Sequence, residues 1–270
     1  EQHGEAATDD DRSIGDVEDV PGEAAPVAVD EIEHGPIGDP VDRIPHSTAQ
    51  LIDRAAALGY DAVAVTLHDK QLDLTPWQEY ASIRNVLLIP GIEQTIEGKH
   101  VLLLNFSARA EHVRTFADLA VLKREERGLV LAPHPFFPHH SCLGRRLMNV
   151  HAELFDAVEY NAMFMRGINF NRVAEQWAHA YGKPIVGNGD VHRLAQLGST
   201  FSLVDAAREV TAICDAIRVG QVAFEASPLP WMTTAWLATE LMVVEEMRER
   251  LSPRLTPNSQ IPTPKALEVN

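Results

Sequence analysis

Residues 47–69, STAQLIDRAAALGYDAVAVTLHD, decide the fold. Ser47 and Gln50 have the S-x-x-Q spacing of a capping box, which satisfies the orphan N–H groups at a helix start. An apolar face runs through Leu51, Ile52, Ala55 and Leu58, and Gly59 stands where a left-handed residue ends the helix. Ala62–Thr66 then forms a short run that is apolar on both faces, the pattern of a parallel strand covered by helices. The same helix–glycine–strand phrase recurs at Thr115–Glu126, Gly128 and Leu129–Ala132, and again at Asn169–Tyr181, Gly182 and Pro184–Gly187. Val86–Ile89 and His100–Phe106, with Glu97-Gly98 in the turn, interrupt the rhythm as a hairpin-like pair. Phe201–Val204 is read as a last strand, and Ala207–Val219 as a helix ending at Gly220.

Outward from this α/β body the composition changes. The chain has 270 residues and a formal charge of −16. Residues 1–33 hold twelve acids against the single base Arg12, so the tail carries −11 and the rest only −5. Residues 1–26 lack aromatic side chains and are expected to be a disordered acidic tail. The expected body is 27–228. Residues 229–252 read as a helix with apolar Trp231, Leu237, Leu241 and Val244, packing on the body or on a partner in a homo-oligomer. The proline-rich stretch 253–270 reads as a second disordered tail. Two isolated cysteines, Cys142 and Cys214, and the absence of a signal-peptide pattern point to a cytoplasmic protein. The start at Glu1 without Met reads as a fragment or a processed product. The acidic balance argues against nucleic acid and anionic membranes as partners, and Glu240, Glu245 and Glu246 exclude a membrane span at the C-terminal helix.

Side chains at the C-terminal ends of parallel strands converge on one face of a sheet, where sites form. His68 follows Ala62–Thr66, Glu93 follows Val86–Ile89, His134 follows Leu129–Ala132, and Asp190 with His192 follows Ile185–Gly187. His100 lies on the hairpin partner, and His34 and Asp39 precede the first helix. Histidines and carboxylates from so many segments are the ligand types of Zn, Mn or Fe. Asp190 and His192 alternate along an extended stretch and so share a side. Glu159 and Asn161 end the short strand Ala157-Val158 in a position to support ligands or substrate.

In this order the motifs resemble the polymerase-and-histidinol-phosphatase (PHP) domain family. Thr66-Leu67-His68 matches its T-D-H, Pro90-Gly91-Ile92-Glu93 its P-G-x-E, Ala132-Pro133-His134-Pro135 its A-H-P, and Gly189-Asp190-Val191-His192 its S-D-x-H. The resemblance covers residues 30–205. It implies an α/β fold, a distorted TIM-like (β/α)7 barrel with an extra C-terminal helix, holding two or three divalent ions (Zn, Mn or Fe). His34, Glu93 and Asp190 would hold one ion, Glu93, His100 and His134 a second, and His68 and His192 a third; Asp39 matches the aspartate of the family's S-D-G. Ile32 stands where the first histidine of the H-x-H would be, and Leu67 and Gly189 replace the family's Asp and Ser.

The implied function is a metal-dependent phosphoesterase that hydrolyses a small phosphorylated substrate through a metal-bridging hydroxide, with no catalytic side chain beyond the ligands. Arg145, Arg146, Arg166 and Arg193 are the candidate phosphate contacts. The alternatives are a non-catalytic PHP-like domain that binds a ligand or partner, suggested by Ile32 and Leu67, and a nuclease, which the charge balance opposes.

Overall fold

The structure, a computed structural model, describes residues 46–230. The expected tails and the strand expected at 30–34 with Ile32, His34 and Asp39 lie outside the described residues, as does the helix expected at 229–252 except for Leu229 and Pro230, which are not helical.

The opening phrase folds as its sequence dictates. Helix α1 spans Thr48–Leu58; the Ser47 hydroxyl accepts from the Gln50 N–H, the Gln50 side chain accepts from the Ser47 N–H, and Gly59 closes the helix at φ 81°. Strand β1, Ala62–His68, follows. After the short helix α2, Gln78–Ile83, come β2, Leu87–Ile96, and β3, Lys99–Leu104. Helix α3, Phe116–Glu125, leads to β4, Leu129–Ala132, and α4, Gly144–Val150, to β5, Ala157–Asn161. Helix α5, Asn171–Tyr181, leads to β6, Ile185–Asn188. Strand β7, Thr200–Val204, helix α6, Val210–Arg218, and strand β8, Val222–Ala226, complete the described part.

Strands β1 to β6 form one curled, half-barrel sheet in chain order. The pairs β1–β2, β4–β5 and β5–β6 are parallel, and β3 runs antiparallel to both neighbours. Strands β7 and β8 pair antiparallel as a separate ribbon. The described sheet therefore has six strands, where the sequence reading expects a seven-stranded barrel. The ribbon packs on β6 at Gly187, where an added Cβ would lie 2.7 Å from the Phe224 Cβ and 2.8 Å from the Phe201 carbonyl oxygen.

Period-2 alternation sorts the strands onto two faces. Ile92, Val101, Leu103, Val130 and Val158 face α3, α4 and α5, meeting Phe116, Leu119, Met148 and Trp177. Val63 and Val65 face α1 through Leu51, Ile52 and Ala55. On the other face Ala62, Ala64, Ile89, Leu102, Leu104, Leu131, Ala157 and Val186 meet Ile213 and Ile217 of α6. Both sheet faces are thus covered by helices, as the doubly apolar runs require. Burial pushes the Cys214 thiol, on α6, up to about 12. No helix among the described residues is long and apolar enough to cross a membrane.

Several element boundaries differ from expectation. β2 does not stop at Ile89 but runs through Pro90 to Ile96, so Glu93 lies inside a strand. From Gly91 onward the antiparallel partner β3 carries the ladder, which makes the missing N–H of Pro90 tolerable. Helix α6 begins at Val210 rather than Ala207, and β8 has no counterpart in the sequence reading.

Candidate metal centre

The face that carries α6 also carries the site. Along β1 its column reads Ala62, Ala64, Thr66, His68; along β2, Ile89, Gly91, Glu93; along β5, Ala157, Glu159, Asn161; along β6, Val186, Asn188. Each column is apolar at its N-terminal half and polar at its C-terminal end. β3 runs the other way, and its polar residue, His100, stands at its beginning. Register brings these ends together: His68 is opposite Glu93, and His100 is opposite Thr95, one pleat further along the same face. Beneath them Gly91 leaves room that a methyl group would fill, 2.6 Å from Leu104 Cδ2 and 2.7 Å from Thr66 Cγ2.

Glu93 is the hub. Its side chain is 2 % exposed, and three histidines surround it. His100 Nδ1 lies 2.6 Å from Oε1, His134 Nε2 3.4 Å from Oε1, and His68 Nε2 3.5 Å from Oε2. The rings of His68 and His100 are 4.8 Å apart and those of His100 and His134 5.7 Å. One ligand atom each from His68, Glu93 and His100 falls within 4.8 Å of the others, a spacing that suits a shared cation. Glu93 Oε1 and His100 Nδ1 are buried and make no hydrogen bond of acceptable geometry, despite their proximity. A buried carboxylate oxygen and a buried imidazole nitrogen in poor mutual hydrogen-bond geometry are donors that a cation could use.

Burial alone would raise the Glu93 carboxyl, but the charges of His100 and His68 and the contacts from His100 and His134 hold it well below the usual range. Burial pulls His134 down, yet Cys142, Glu93 and Glu159 together raise it well above 6.5. A carboxylate kept ionised among histidines is the donor set of first-row divalent metals.

His134 follows β4 with φ 27°, and Asp190 follows β6 with φ 44°. Non-glycine residues at positive φ are uncommon and cluster at functional sites. Here the turn takes each side chain out of the strand alternation and toward the polar end. A buried polar network joins them. The His134 N–H donates to the Glu159 carboxylate; Asn161 Nδ2 donates to Glu159 Oε2 at 3.2 Å and to Asp190 Oδ2 at 2.9 Å; Asn188 Nδ2 donates to Glu159 Oε1 at 3.1 Å. Burial pushes Glu159 up to about 8, with His134 opposing and Asp190 reinforcing the shift. His192 is placed by Gln196, whose Oε1 accepts from the His192 N–H at 3.0 Å and whose Nε2 donates to the Asp190 carbonyl at 3.1 Å. His192 Nδ1 lies 3.6 Å from Asp190 Oδ1.

The structure thus gathers His68, Glu93, His100 and His134 around one carboxylate, and links Asp190 and His192 to them through Glu159 and Asn161. His34 and Asp39 lie outside the described residues. Leu67, at the family's Asp position, is buried on the face opposite His68. The arginines are more dispersed. Arg145 and Arg146 are exposed on the first turn of α4, Arg166 lines a cavity of about 270 Å³ beyond β5 with Arg172 and Asn169, and Arg193 is half-buried beside His192. Asn188, Gln196 and Arg172 went unread in the sequence, because uncharged amides and a helix arginine carry no motif of their own.

Residues 169–222 match the family model described as PHP-associated (PHP_C). No curated protein sequence matches. Among solved structures, PsfC from Pseudomonas syringae PB-5123 is similar at 14 % identity and a TM-score of 0.56, over 82 % of this chain and 98 % of that one. A candidate metal-dependent phosphoesterase from Bifidobacterium adolescentis is 14 % identical over 73 % of this chain and 98 % of its own, with a TM-score of 0.49. The lesion-specific endonuclease PfuEndoQ from Pyrococcus furiosus is 15 % identical, with a TM-score of 0.50, over 74 % of this chain and 57 % of its own. At such identities structural likeness speaks to the fold. The family-model match covers about a fifth of the chain, and the motifs quoted from the sequence resemble the same family.

Proposed function

We propose that the chain is a metal-dependent phosphoesterase acting on a small phosphorylated compound. The observation that carries this reading is Glu93, a buried carboxylate with three histidine nitrogens at 2.6, 3.4 and 3.5 Å. In this reading His34, Glu93 and Asp190 would hold one ion, Glu93, His100 and His134 a second, and His68 and His192 a third, with Asp39 beside them.

Bound there, divalent ions would generate a nucleophilic hydroxide near neutral pH and neutralise the phosphate oxygens. The chain's own part is positional. The Glu159–Asn161–Asn188 network fixes Asp190 and the turn at His134, the apolar layer below excludes water from the ligands' stems, and Arg145, Arg146, Arg166 and Arg193 offer the cationic contacts that a phosphate wants beside an acidic body. Buried, unpaired Cys142 and Cys214 fit a reducing, cytoplasmic setting.

Purification without chelator is expected to yield protein with more than one equivalent of Zn, Mn or Fe by mass spectrometry, and with hydrolysis of a generic aryl phosphate. Metal-free protein that stays inactive when each of the three metals is added would refute the proposal. A second reading, a PHP-like domain that binds without turnover, is favoured by Ile32 at the first-histidine position. Ile32→His separates the two: a large gain in hydrolysis marks an incomplete first site, whereas an active wild type that the substitution leaves unchanged supports the enzyme.

A further inference from the structure

His134 is the one hub histidine that comes from a loop rather than a strand, so something other than the sheet must hold its ring. The loop from His134 to Gly144 closes on itself: Phe137 N–H donates to the His134 carbonyl at 3.1 Å, Cys142 N–H to the His139 carbonyl at 3.2 Å, and Gly144 N–H to the Pro135 carbonyl at 2.8 Å. It is fastened to β3 by the His100 N–H, which donates to the Ser141 carbonyl at 2.9 Å. Ser141 is therefore tied to one hub histidine through the backbone, and the next residue touches another through its side chain. Cys142, 6 % exposed, places Sγ 3.3 Å from His134 Nδ1. The opposite ring nitrogen, Nε2, faces Glu93 Oε1 at 3.4 Å, the buried oxygen that His100 Nδ1 also approaches at 2.6 Å.

We propose that Cys142 is a positioning residue for the metal centre: its sulfur accepts the Nδ1–H of His134 and so keeps the Nε2 lone pair turned toward Glu93. The inference rests on the metal-site reading given above. A neutral imidazole has one N–H and one lone pair. If Nε2 is to bind a cation, the proton must sit on Nδ1, and it needs an acceptor there. Metal-ligating histidines commonly donate that second N–H to a carboxylate, a carbonyl or water, and loss of the acceptor costs 10–100-fold in metal affinity. In this chain the position is filled by a thiol sulfur, a weak but correctly placed acceptor. Cys142 acts through His134, with no covalent chemistry of its own.

The test is zinc affinity of the full chain, measured by competition with a chromophoric chelator, for wild type, Cys142→Val and Cys142→Ser. Valine keeps the volume and removes the acceptor; serine restores an acceptor. Cys142→Val is expected to bind roughly 10–100-fold more weakly at one equivalent, and Cys142→Ser to recover most of that loss. Wild-type affinity in Cys142→Val would overturn the positioning role while leaving the metal site standing, as would equal weakening in the valine and serine variants, which would mark a packing defect. Failure of wild type to bind zinc, manganese or iron would instead remove the metal site itself, and the role of Cys142 with it.

Discussion

Asp69 clasps the end of β1 to the hairpin that carries Glu93 and His100, and its removal should loosen the whole hub. Asp69 sits at φ 56°, a left-handed conformation that Asp and Asn tolerate better than most residues. From there its N–H donates to the Glu93 carbonyl at 3.0 Å. Its carboxylate accepts from Thr95 N at 2.7 Å, Thr95 Oγ1 at 3.0 Å and Gln94 Nε2 at 3.1 Å. Thr95 is the residue opposite His100, and Gln94 is fully buried. Hydrogen bonds to a charged group contribute about 1.5–3 kcal/mol each, and a donor left unsatisfied in the interior costs about 1–3 kcal/mol. The three bonds share one carboxylate that is itself partly exposed, so they are not additive. Asp69→Ala should then cost about 3 kcal/mol, and Asp69→Asn, which keeps the backbone conformation and one acceptor oxygen, about 1 kcal/mol. For a domain of this size 3 kcal/mol corresponds to roughly 6–12 °C in Tm. Thermal and urea unfolding of metal-free protein give the stability, and zinc titration of the same samples gives the effect on the hub. Asp69→Ala within 1 kcal/mol of wild type, or a loss as large in Asp69→Asn as in Asp69→Ala, would refute the clasp.

Gly91→Ala should destabilise the metal-free protein by about 1–3 kcal/mol, because the new methyl meets Leu104 and Thr66 at 2.6 and 2.7 Å under the site; unchanged urea unfolding would show that this layer can yield. Glu159→Gln tests the buried carboxyl. Its folded-state pKa is raised to about 8 from 4.5, so metal-free wild type should lose stability as pH rises through that window, by on the order of 2–5 kcal/mol, while the glutamine variant does not. An equal stability difference between the two proteins at pH 5 and at pH 8.5 would refute the assignment.

Much of the fold was legible because its signals are local. The Ser47–Gln50 capping box, Gly59 and Gly182 fix helix ends through backbone chemistry that does not depend on what packs nearby. The strands were legible because the doubly apolar run is itself a statement of burial on two faces. Errors fell where long-range context overrides a local rule. Proline at 90 signals the end of a strand, yet β3 supplies the next ladder and β2 continues to Ile96. Val222–Ala226 alternates half-buried and exposed residues on a ribbon, and so lacks the apolar run that marked the other strands.

The candidate site divides along the same line. Its titratable members were legible as types placed at strand ends, and the sheet register brings His68, Glu93 and His100 together without further help. His134 and Asp190 reach the site only through left-handed turns, which the A-P-H-P and G-D-V-H stretches do not announce by glycine at those positions. The partners that hold these two, Cys142 and Gln196 from two separate loops and Glu159 and Asn161 from β5, are brought to them by tertiary contact. A residue's chemistry can be read from its type, but the tautomer of His134 depends on a sulfur eight residues away across a closed loop. That dependence makes the loop, rather than the strands, the part of the site where a conservative substitution should change metal affinity most for the least change in fold.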